Sequence, residues 1–224
     1  MLIGLDAIPL EPPRTGIGHY TYELARALAV SSPSDRFELV SPYPPSFPDA
    51  EGAYLSSVEF PSNVRLAYLG SPLWRRRWWA LGAPVYVRRA GFELFHGTNY
   101  NVPLWGRCAS VLSVHDLSLL VYPETHEPAQ VRRARRVLPL MVRAATMILT
   151  DTESVRREVC ERLGVEPARV AAVHIAPRSV FRPLPAAEAA QRVGRLGIEG
   201  EFLLYVGTIE PRKNLKTLVR ALDL

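Results

Sequence analysis

The sequence has little cysteine and no long apolar run, and both shortages narrow the possible classes of protein. Its two cysteines, Cys108 and Cys160, lie far apart, without a CxxC motif or clustered histidines. This spacing indicates free thiols in a reducing compartment, and it predicts no metal site. No run of about 18 apolar residues occurs, so no segment is expected to span a bilayer. The N-terminal segment carries Asp6 and lacks a basic start, unlike a signal peptide, so the expected location is the cytoplasm.

The charge balance favours an acidic partner. The formal net charge is +5 and the isoelectric point is about 9.5, with most of the excess supplied by arginine. Nucleic acid, a phosphorylated ligand and an anionic membrane surface all fit this charge. Nucleic acid is the least favoured of the three, because no helix-turn-helix, zinc or RNA-recognition motif is present.

Short apolar runs alternate with helical patterns along the chain. The predicted strands are residues 2–8, 37–41, 64–69, 92–96, 109–116, 146–150, 169–175 and 202–207. They are nearly continuous in apolar residues, as parallel strands buried on both faces are. Alternating strands and helices predict the α/β class, with a Rossmann-like, doubly wound parallel sheet.

Two helices are indicated by residue spacing. The first would bury the face formed by Ile17, Tyr20, Leu24 and Leu28. The second would bury Val155, Val159 and Leu163, with Asp151 or Thr152 as its N-cap and Gly164 as its stop.

Two proline-rich stretches interrupt the pattern. Residues 41–52 are predicted to form a loop, and residues 176–188, with three prolines, indicate a domain boundary. Residues 1–180 are therefore predicted to form one domain. Residues 181–224 would supply a linker and the first strand and helix of an incomplete second domain, because one strand cannot close a sheet.

Glycines follow the first predicted strand in the segment PRTGIGHY. Gly16 and Gly18 open the first helix, where free amide groups and the helix dipole favour an anion. A dinucleotide-binding fingerprint would need a third glycine where Thr21 stands, so NAD is not favoured. A tight turn without a ligand explains the two glycines equally well.

Polar residues follow the predicted strands that end near positions 96 and 115. His96, and His115 with Asp116, lie at carboxyl ends of buried strands, where open α/β sheets bind ligands. A histidine at a strand end can also be purely structural. Two neighbouring strand ends with histidines nevertheless favour a cleft at this edge.

The segment VGTIEPRKN repeats this arrangement near the end of the chain. Gly207 follows the predicted strand, and Arg212 with Lys213 lies beside a helix N-terminus. Two cations and free amides suit a pyrophosphate, although a solvated basic pair is the simpler alternative.

Several segments resemble one enzyme family in order along the chain. YVGTIEPRKNLKTLVRAL resembles the donor-site strand and turn of retaining GT-B glycosyltransferases of family four. TGIGHYTYELARAL, FHGTNYNVP, SVHDLSLLVYPE and ILTDTESVRREV resemble the N-terminal domain of that family, so the likeness covers nearly the whole chain.

The resemblance implies a two-domain enzyme that moves a sugar from a nucleotide-diphosphate sugar to a glycan or lipid-linked acceptor, with retention. It places the donor diphosphate at Arg212, Lys213, Gly207, Gly16 and Gly18. It implies His115 as the catalytic residue beside the donor sugar, and His96, Asn99 and Asp116 as acceptor-side candidates. It implies neither a metal nor another cofactor, because cations and helix dipoles stabilise the leaving group.

One departure from the family pattern affects activity. The paired glutamates of the family lie well downstream of the basic turn, and apart from Asp223 no acidic residue follows Lys213. We therefore expect a fragment or truncated product that is inactive by itself, with a tail that frays or self-associates. The alternative is a non-catalytic Rossmann-like binding module that partners a complete transferase.

Two basic stretches are compatible with peripheral contact with the inner face of an anionic membrane. Residues 71–91 place arginines among Trp74, Trp78 and Trp79, and residues 131–145 form a second arginine-rich helix. The alternative is that the tryptophans belong to the core or line the acceptor cleft while the arginines are solvated.

Overall fold

The computed structural model describes residues 1–43, 60–69, 75–178 and 180–222. The chain divides into two compact units, Met1–Ile175 and Ala176–Leu224. Most of the loop predicted at 41–52, and Trp74 in the first basic stretch, lie outside the described residues.

The first unit is built on a parallel sheet. Strands β1 to β7 are Leu2–Asp6, Arg36–Ser41, Val64–Tyr68, Leu94–Gly97, Ala109–Val114, Met147–Thr150 and Val170–Ala172. They form one seven-stranded sheet in the order β3-β2-β1-β4-β5-β6-β7, with every neighbouring pair parallel. The strand order reverses between β1 and β4, which confirms the predicted doubly wound sheet and places its switch point there.

Helices cover both faces of this sheet. Helices α1 to α5 are Gly16–Ser31, Ala83–Ala90, Ser118–Val121, Pro128–Ala144 and Glu153–Leu163, and a π-helical turn, Trp78–Gly82, precedes α2. Successive residues of a strand point to opposite faces. Leu39 of β2 packs in a cluster with α1, whereas its neighbour Val40 packs in a cluster with α2.

Helix α1 buries a different face from the one predicted. Its buried residues are small, namely Gly18, Thr21, Ala25 and Ala29. The predicted stripe of larger residues, Ile17, Tyr20, Leu24 and Leu28, is only half-buried. The large side chains flank a central strip of small ones, and that strip lets α1 approach the sheet closely.

Helix α5 has the predicted ends. The hydroxyl of Thr152 accepts a hydrogen bond from the amide of Val155 at 3.2 Å, so Thr152 is the N-cap. Gly164 closes the helix in the left-handed conformation, with φ of 64°. Because Thr152 caps the helix, the carboxylate of Asp151 is free for another contact.

The tryptophans of the first basic stretch that the structure describes belong to the core. Trp78 is 4% exposed, and half-buried Trp79 lies 6.3 Å from the ring of Phe95. Arg76 and Arg77, which directly precede Trp78 in the sequence, are exposed. This arrangement corresponds to the alternative in which the tryptophans pack inside and the arginines are solvated.

The second unit, taken by itself, contains two helices and no strand among its described residues. Helix α6 is Ala186–Gly194 and α7 is Leu215–Ala221, with a short 3-10 helix at Pro211–Lys213. The strand predicted at 202–207 is therefore wrong. A strand forms only by pairing, and residues 180–222 provide no partner for it, so Leu204 is 77% exposed.

Candidate functional site

The register of the sheet brings three strand ends together in the first unit. Val114 of β5 pairs with Thr150 of β6, so the next residues, His115 and Asp151, emerge side by side. Gly97 of β4 pairs with Leu112 of β5, which brings the segment after β4 to the same edge. This is the carboxyl edge, where parallel sheets bind ligands.

Both ring nitrogens of His115 have partners inside the unit. Nδ1 lies 3.2 and 3.0 Å from the two carboxylate oxygens of Asp151. Nε2 lies 2.9 Å from the carbonyl oxygen of Thr98 and donates to it. The ring is therefore anchored from two neighbouring strands.

Two tyrosines enclose the ring of His115. The ring of Tyr20, from α1, meets it edge-on with centroids 4.9 Å apart, and that of Tyr100 does so at 5.9 Å. Tyr100 has a left-handed backbone, with φ of 56°, and its hydroxyl accepts the amide of Asp116 at 2.9 Å. Burial raises the pKa of both tyrosines, so their hydroxyl groups stay protonated.

His96 lies behind His115 and is buried. Its Nε2 lies 2.9 Å from the hydroxyl of Ser113, which lies 3.0 Å from the hydroxyl of Tyr20. Burial, with a smaller electrostatic contribution from neighbouring His115, lowers the pKa of His96 to about 4. His96 is therefore neutral, and the hydroxyl of Ser113 links it to Tyr20.

A second hydrogen-bonded chain joins α1 to β1. Thr21 donates to the hydroxyl of Thr98 at 3.0 Å, and Thr98 donates to the carbonyl of Asp6 at 3.1 Å. The side chain of Asp6 is buried and accepts the amide of Ile8 at 3.0 Å. Burial raises the pKa of Asp6 to about 7, although this hydrogen bond opposes the shift.

The other acceptor-side candidates lie nearer to solvent. Asn99 is half-buried, and its side-chain amide has no hydrogen bond to any residue that the structure describes. Asp116 is exposed, and one of its carboxylate oxygens accepts the amide of Ser118 at 2.9 Å. These two residues can offer polar atoms to a ligand at this edge.

The two predicted glycines of α1 lie in different environments. Gly16 is exposed, faces open space and follows Thr15, whose side chain does not cap the helix. Gly18 is buried, and a Cβ there would lie 2.4 Å from the carbonyl oxygen of Pro9. Gly18 is thus required for packing, while Gly16 leaves the helix N-terminus open to an anion.

The predicted diphosphate turn lies in the second unit. Arg212 forms an ion pair of 2.8 Å with Glu210 inside the turn that follows Gly207. The side chain of exposed Lys213 has no hydrogen bond or ion pair with other residues between 180 and 222. Asn214, with φ of 50°, then starts α7. Of the two predicted cations, Lys213 is the one uncommitted to a neighbour in its own unit.

Two further properties concern the described part of the chain alone. It contains no group of three or more histidine, cysteine, aspartate or glutamate side chains arranged to hold a metal ion. None of its helices has the length and apolar character needed to cross a membrane.

Sequence reasoning missed several residues of the cluster around His115. The sequence pattern identifies Asp151 only as a candidate helix cap, and it does not distinguish Thr98 or Ser113 from their neighbours. The available signal was position: Asp151 directly follows a strand, as His115 does, and parallel pairing brings such residues together.

Comparison with known proteins identifies a family. The sequence profile of Glycosyltransferase Family 4 matches residues 14–176, which include most of the strand ends described above. The chain is 28% identical over 228 residues to the O-antigen chain mannosyltransferase B of Escherichia coli, covering 96% of this chain and 58% of that protein. It is 38% identical over 87 residues to a D-inositol 3-phosphate glycosyltransferase of Kineococcus radiotolerans, covering 36% and 19%.

Solved structures support the fold. The crystal structure of Anabaena HepE with UDP and glucose matches with a TM-score of 0.53 and 14% identity, over 88% of this chain and 50% of that chain. The structure of HepE with UDP-glucose matches with a TM-score of 0.55 and 13% identity, over 88% and 49%. The chain therefore spans about half the length of these proteins, and its α/β sheet is Rossmann-like, as in the GT-B architecture.

Proposed function

This chain belongs to glycosyltransferase family 4, and from that membership we propose that the protein transfers a hexose from a nucleotide-diphosphate sugar to a glycan or lipid-linked acceptor, with retention. The observation that carries the proposal is the family match over residues 14–176. It contains His96, His115 and Asp151 with their contacts, so the polar strand ends lie within the family's own domain.

The named relatives support the donor class. HepE has been crystallised with UDP and with UDP-glucose. The name of the E. coli relative describes a mannosyltransferase that acts on an O-antigen chain. A nucleoside diphosphate hexose agrees with both proteins and with the net charge of +5 of this chain.

We assign the donor diphosphate to the turn of the second unit, and we separately assign a phosphate-binding role to the N-terminus of α1 in the first unit. Lys213 supplies an uncommitted ammonium group, while Arg212 is already paired with Glu210. Exposed Gly16 lets a phosphate approach the uncapped amides of α1. Cations and amides of this kind stabilise a diphosphate leaving group, so transfer should require no metal.

We assign the transferred sugar to the carboxyl edge beside His115. The ring of His115 is 10% exposed and both its nitrogens are bonded within the unit, so it acts as a fixed group. Asn99 and Asp116 carry the accessible polar atoms for the acceptor. His96 supports this edge from behind through Ser113.

We propose that the 224-residue chain alone does not transfer sugar. The unit that holds Lys213 forms no sheet within residues 180–222, and Leu204 and Val206 there are 77% and 83% exposed. A donor site needs its side chains held in place by packed elements. These residues lack such support.

The test measures donor binding and transfer separately. Calorimetry with UDP and UDP-glucose on this chain should show weak binding without turnover. A form extended to the length of the E. coli relative should consume a nucleotide hexose, and NMR of the product should show a retained anomeric configuration. Sugar transfer by the 224-residue chain at ordinary rates contradicts the proposed inactivity. Failure of the extended form to bind any nucleotide sugar contradicts the transferase.

The same experiment examines the non-catalytic alternative. A binding module should bind a complete transferase and show no turnover in any extended form. Turnover by the extended form alone therefore excludes it.

We also propose peripheral contact with an anionic membrane through α4. Its outward face carries the exposed residues Arg132, Arg135, Arg136, Leu140 and Arg143. None of these arginines forms an ion pair with a residue in the described ranges, so their charge is available to lipid phosphates. This surface replaces the tryptophan stretch, since Trp78 is buried.

Vesicle flotation tests this contact. The chain should float with vesicles that contain anionic lipid at low salt, and replacement of Arg132, Arg135 and Arg136 by glutamine should abolish flotation. Replacement of exposed Arg157 and Arg162 on α5 by glutamine is the control and should have little effect. Equal losses from both sets, or no flotation of the wild type, contradict the proposal.

A further inference from the structure

Asp151 and His115 form a largely enclosed ion pair at the carboxyl edge. Their closest contact joins Nδ1 of His115 to Oδ2 of Asp151 at 3.0 Å, with side chains 10% and 25% exposed. Asp151 is free to make this contact because the neighbouring Thr152 caps α5. Parallel pairing of Val114 with Thr150 fixes the separation of the two residues.

The partners of the ring determine where its protons lie. A backbone carbonyl only accepts hydrogen bonds, so Nε2, 2.9 Å from the oxygen of Thr98, must carry a hydrogen. An ionised carboxylate also only accepts, so the contact between Nδ1 and Asp151 is a hydrogen bond when Nδ1 carries a second hydrogen. Both contacts together describe an imidazolium ring beside a carboxylate.

The other groups around His115 do not offer a competing charge. Tyr20 and Tyr100 present ring edges to His115, and buried His96 is neutral because burial lowers its pKa to about 4. Asp116, the next residue, directs a carboxylate oxygen to the amide of Ser118. Asp151 is the one carboxylate within ion-pair distance of His115 among the residues that the structure describes.

We propose that Asp151 is a positioning residue of the transfer site, which holds His115 as an imidazolium with both N–H groups committed to the protein. His115 then presents a ring of fixed orientation and charge to the sugar, and neither removes a proton from the acceptor nor donates one to the leaving group. This inference rests on the proposed function, because it assigns Asp151 a role in the same site.

Substitution of Asp151 by asparagine separates charge from shape. The asparagine amide can donate to an unprotonated Nδ1, while Nε2 still donates to Thr98. Asp151→Asn should therefore leave the ring in place as a neutral imidazole. The matched control is Glu153→Gln, which makes the same chemical change on the first turn of α5, where exposed Glu153 pairs with half-buried Arg156.

Nitrogen-15 NMR of the histidine rings in the 224-residue chain is the first measurement, with His115 assigned through the signals lost in His115→Gln. At neutral pH we expect two protonated ring nitrogens in the wild type and in Glu153→Gln, and one in Asp151→Asn. One protonated nitrogen in the wild type overturns the inference, as does an unchanged spectrum in Asp151→Asn. The wild-type spectrum decides the matter even where a variant does not fold.

Kinetics of the extended form is the second measurement. Asp151→Asn should lower kcat about tenfold with little change in KM for the donor, because the fixed charge acts after the sugar is bound. Glu153→Gln should retain the wild-type kcat, and equal losses in the two variants overturn the positioning role. An extended form that binds no nucleotide sugar refutes the proposed function alone, whereas donor binding with a singly protonated His115 refutes this inference alone.

Discussion

The hydroxyl groups of Tyr20 and Ser113 lie 3.0 Å apart and connect helix α1 to the end of β5. The same Ser113 hydroxyl lies 2.9 Å from Nε2 of His96, so one oxygen links a helix and two strands. Because Gly16 begins the helix that carries Tyr20, this bond also fixes the predicted phosphate-binding N-terminus relative to the strand ends.

Loss of the Tyr20 hydroxyl should destabilise the first unit. Tyr20→Phe leaves the buried hydroxyl of Ser113 with one partner fewer, which costs about 1 kcal/mol. Urea denaturation measures the difference in free energy of unfolding. The control is Tyr122→Phe, because Tyr122 is 53% exposed and its hydroxyl has no partner among the described residues. Equal effects of the two variants would contradict a role for the Tyr20–Ser113 bond.

His96 should make the fold sensitive to acid. Its pKa falls from 6.5 to about 4 on folding, because burial disfavours the charged ring. The unfolded chain therefore binds the proton first, and stability is lost as the pH falls from about 6.5 to about 4, by roughly 3 kcal/mol in all. His96→Gln should remove this loss, which denaturation at a series of pH values will detect. If the stability of His96→Gln falls as steeply with decreasing pH as that of the wild type, the acid sensitivity does not come from His96.

Asp6 should make the stability of the fold depend on pH in the opposite direction, over nearly the same pH range. Burial raises its pKa from 3.8 to about 7. The folded protein then holds the proton more tightly than the unfolded chain. Protonated Asp6 therefore contributes its full stabilisation below about pH 4, and this stabilisation is lost as the pH rises to about 7. Asp6→Asn keeps the oxygen that accepts the amide of Ile8. As the pH rises from about 4 to about 7, this variant should therefore lose less stability than the wild type. A wild type and variant with parallel pH profiles would exclude this effect.

A buried carboxylate in β2 should be important for stability. Glu38 is fully buried and accepts hydrogen bonds from Tyr86 and from Arg65, whose side chain is 71% exposed. Glu38→Gln places amide hydrogens against the guanidinium, and we expect a loss of about 2–4 kcal/mol in free energy of unfolding.

The control for Glu38 is an exposed pair of the second unit. Glu188 and Arg192 lie 2.6 Å apart on α6, with side chains 41% and 63% exposed. Glu188→Gln should change the free energy of unfolding by less than about 0.5 kcal/mol. A loss at Glu38 no larger than this would show that solvent screens the buried pair as well.

The sheet could be predicted because buried parallel strands leave a local signature. The apolar runs and the caps of α5 depend on neighbours in sequence, and the structure confirms the strands of the first unit and both caps. The buried face of α1 could not be predicted in the same way. Gly18, Thr21 and Ala25 are buried because the helix packs closely on the sheet, which hydrophobicity alone does not reveal.

The site was predictable only at the level of strand ends. His115 and Asp116 follow an apolar run, which is visible in the sequence. The contact between Asp151 and His115 could not be predicted, because it depends on which strands are neighbours and on their register. The strand predicted at 202–207 shows the reverse: its residues have the right pattern, but a strand requires a pairing partner that residues 180–222 do not supply.

Hydrogen exchange should distinguish the two units. The described residues offer no backbone hydrogen bonds to the amides of 202–207, and apolar side chains there, such as Val206, are 83% exposed. These amides should exchange within the shortest labelling time, while those of β5 stay protected. Strong protection across 202–222 in a monomer would contradict this expectation.

Lys213 should contribute more to donor binding than any other cation of its turn. Arg212 already pairs with Glu210 at 2.8 Å, so part of its charge is neutralised before a diphosphate arrives. Lys213→Ala in the extended form should weaken UDP binding about tenfold, or by ~1.4 kcal/mol, and should reduce the dependence of affinity on salt. Lys216→Ala is the matched control, because Lys216 is also exposed but lies in the first turn of α7, beyond the 3-10 helix that holds Lys213. If Lys216→Ala weakens binding as much, the turn acts through its overall charge, and Lys213 does not contact the diphosphate.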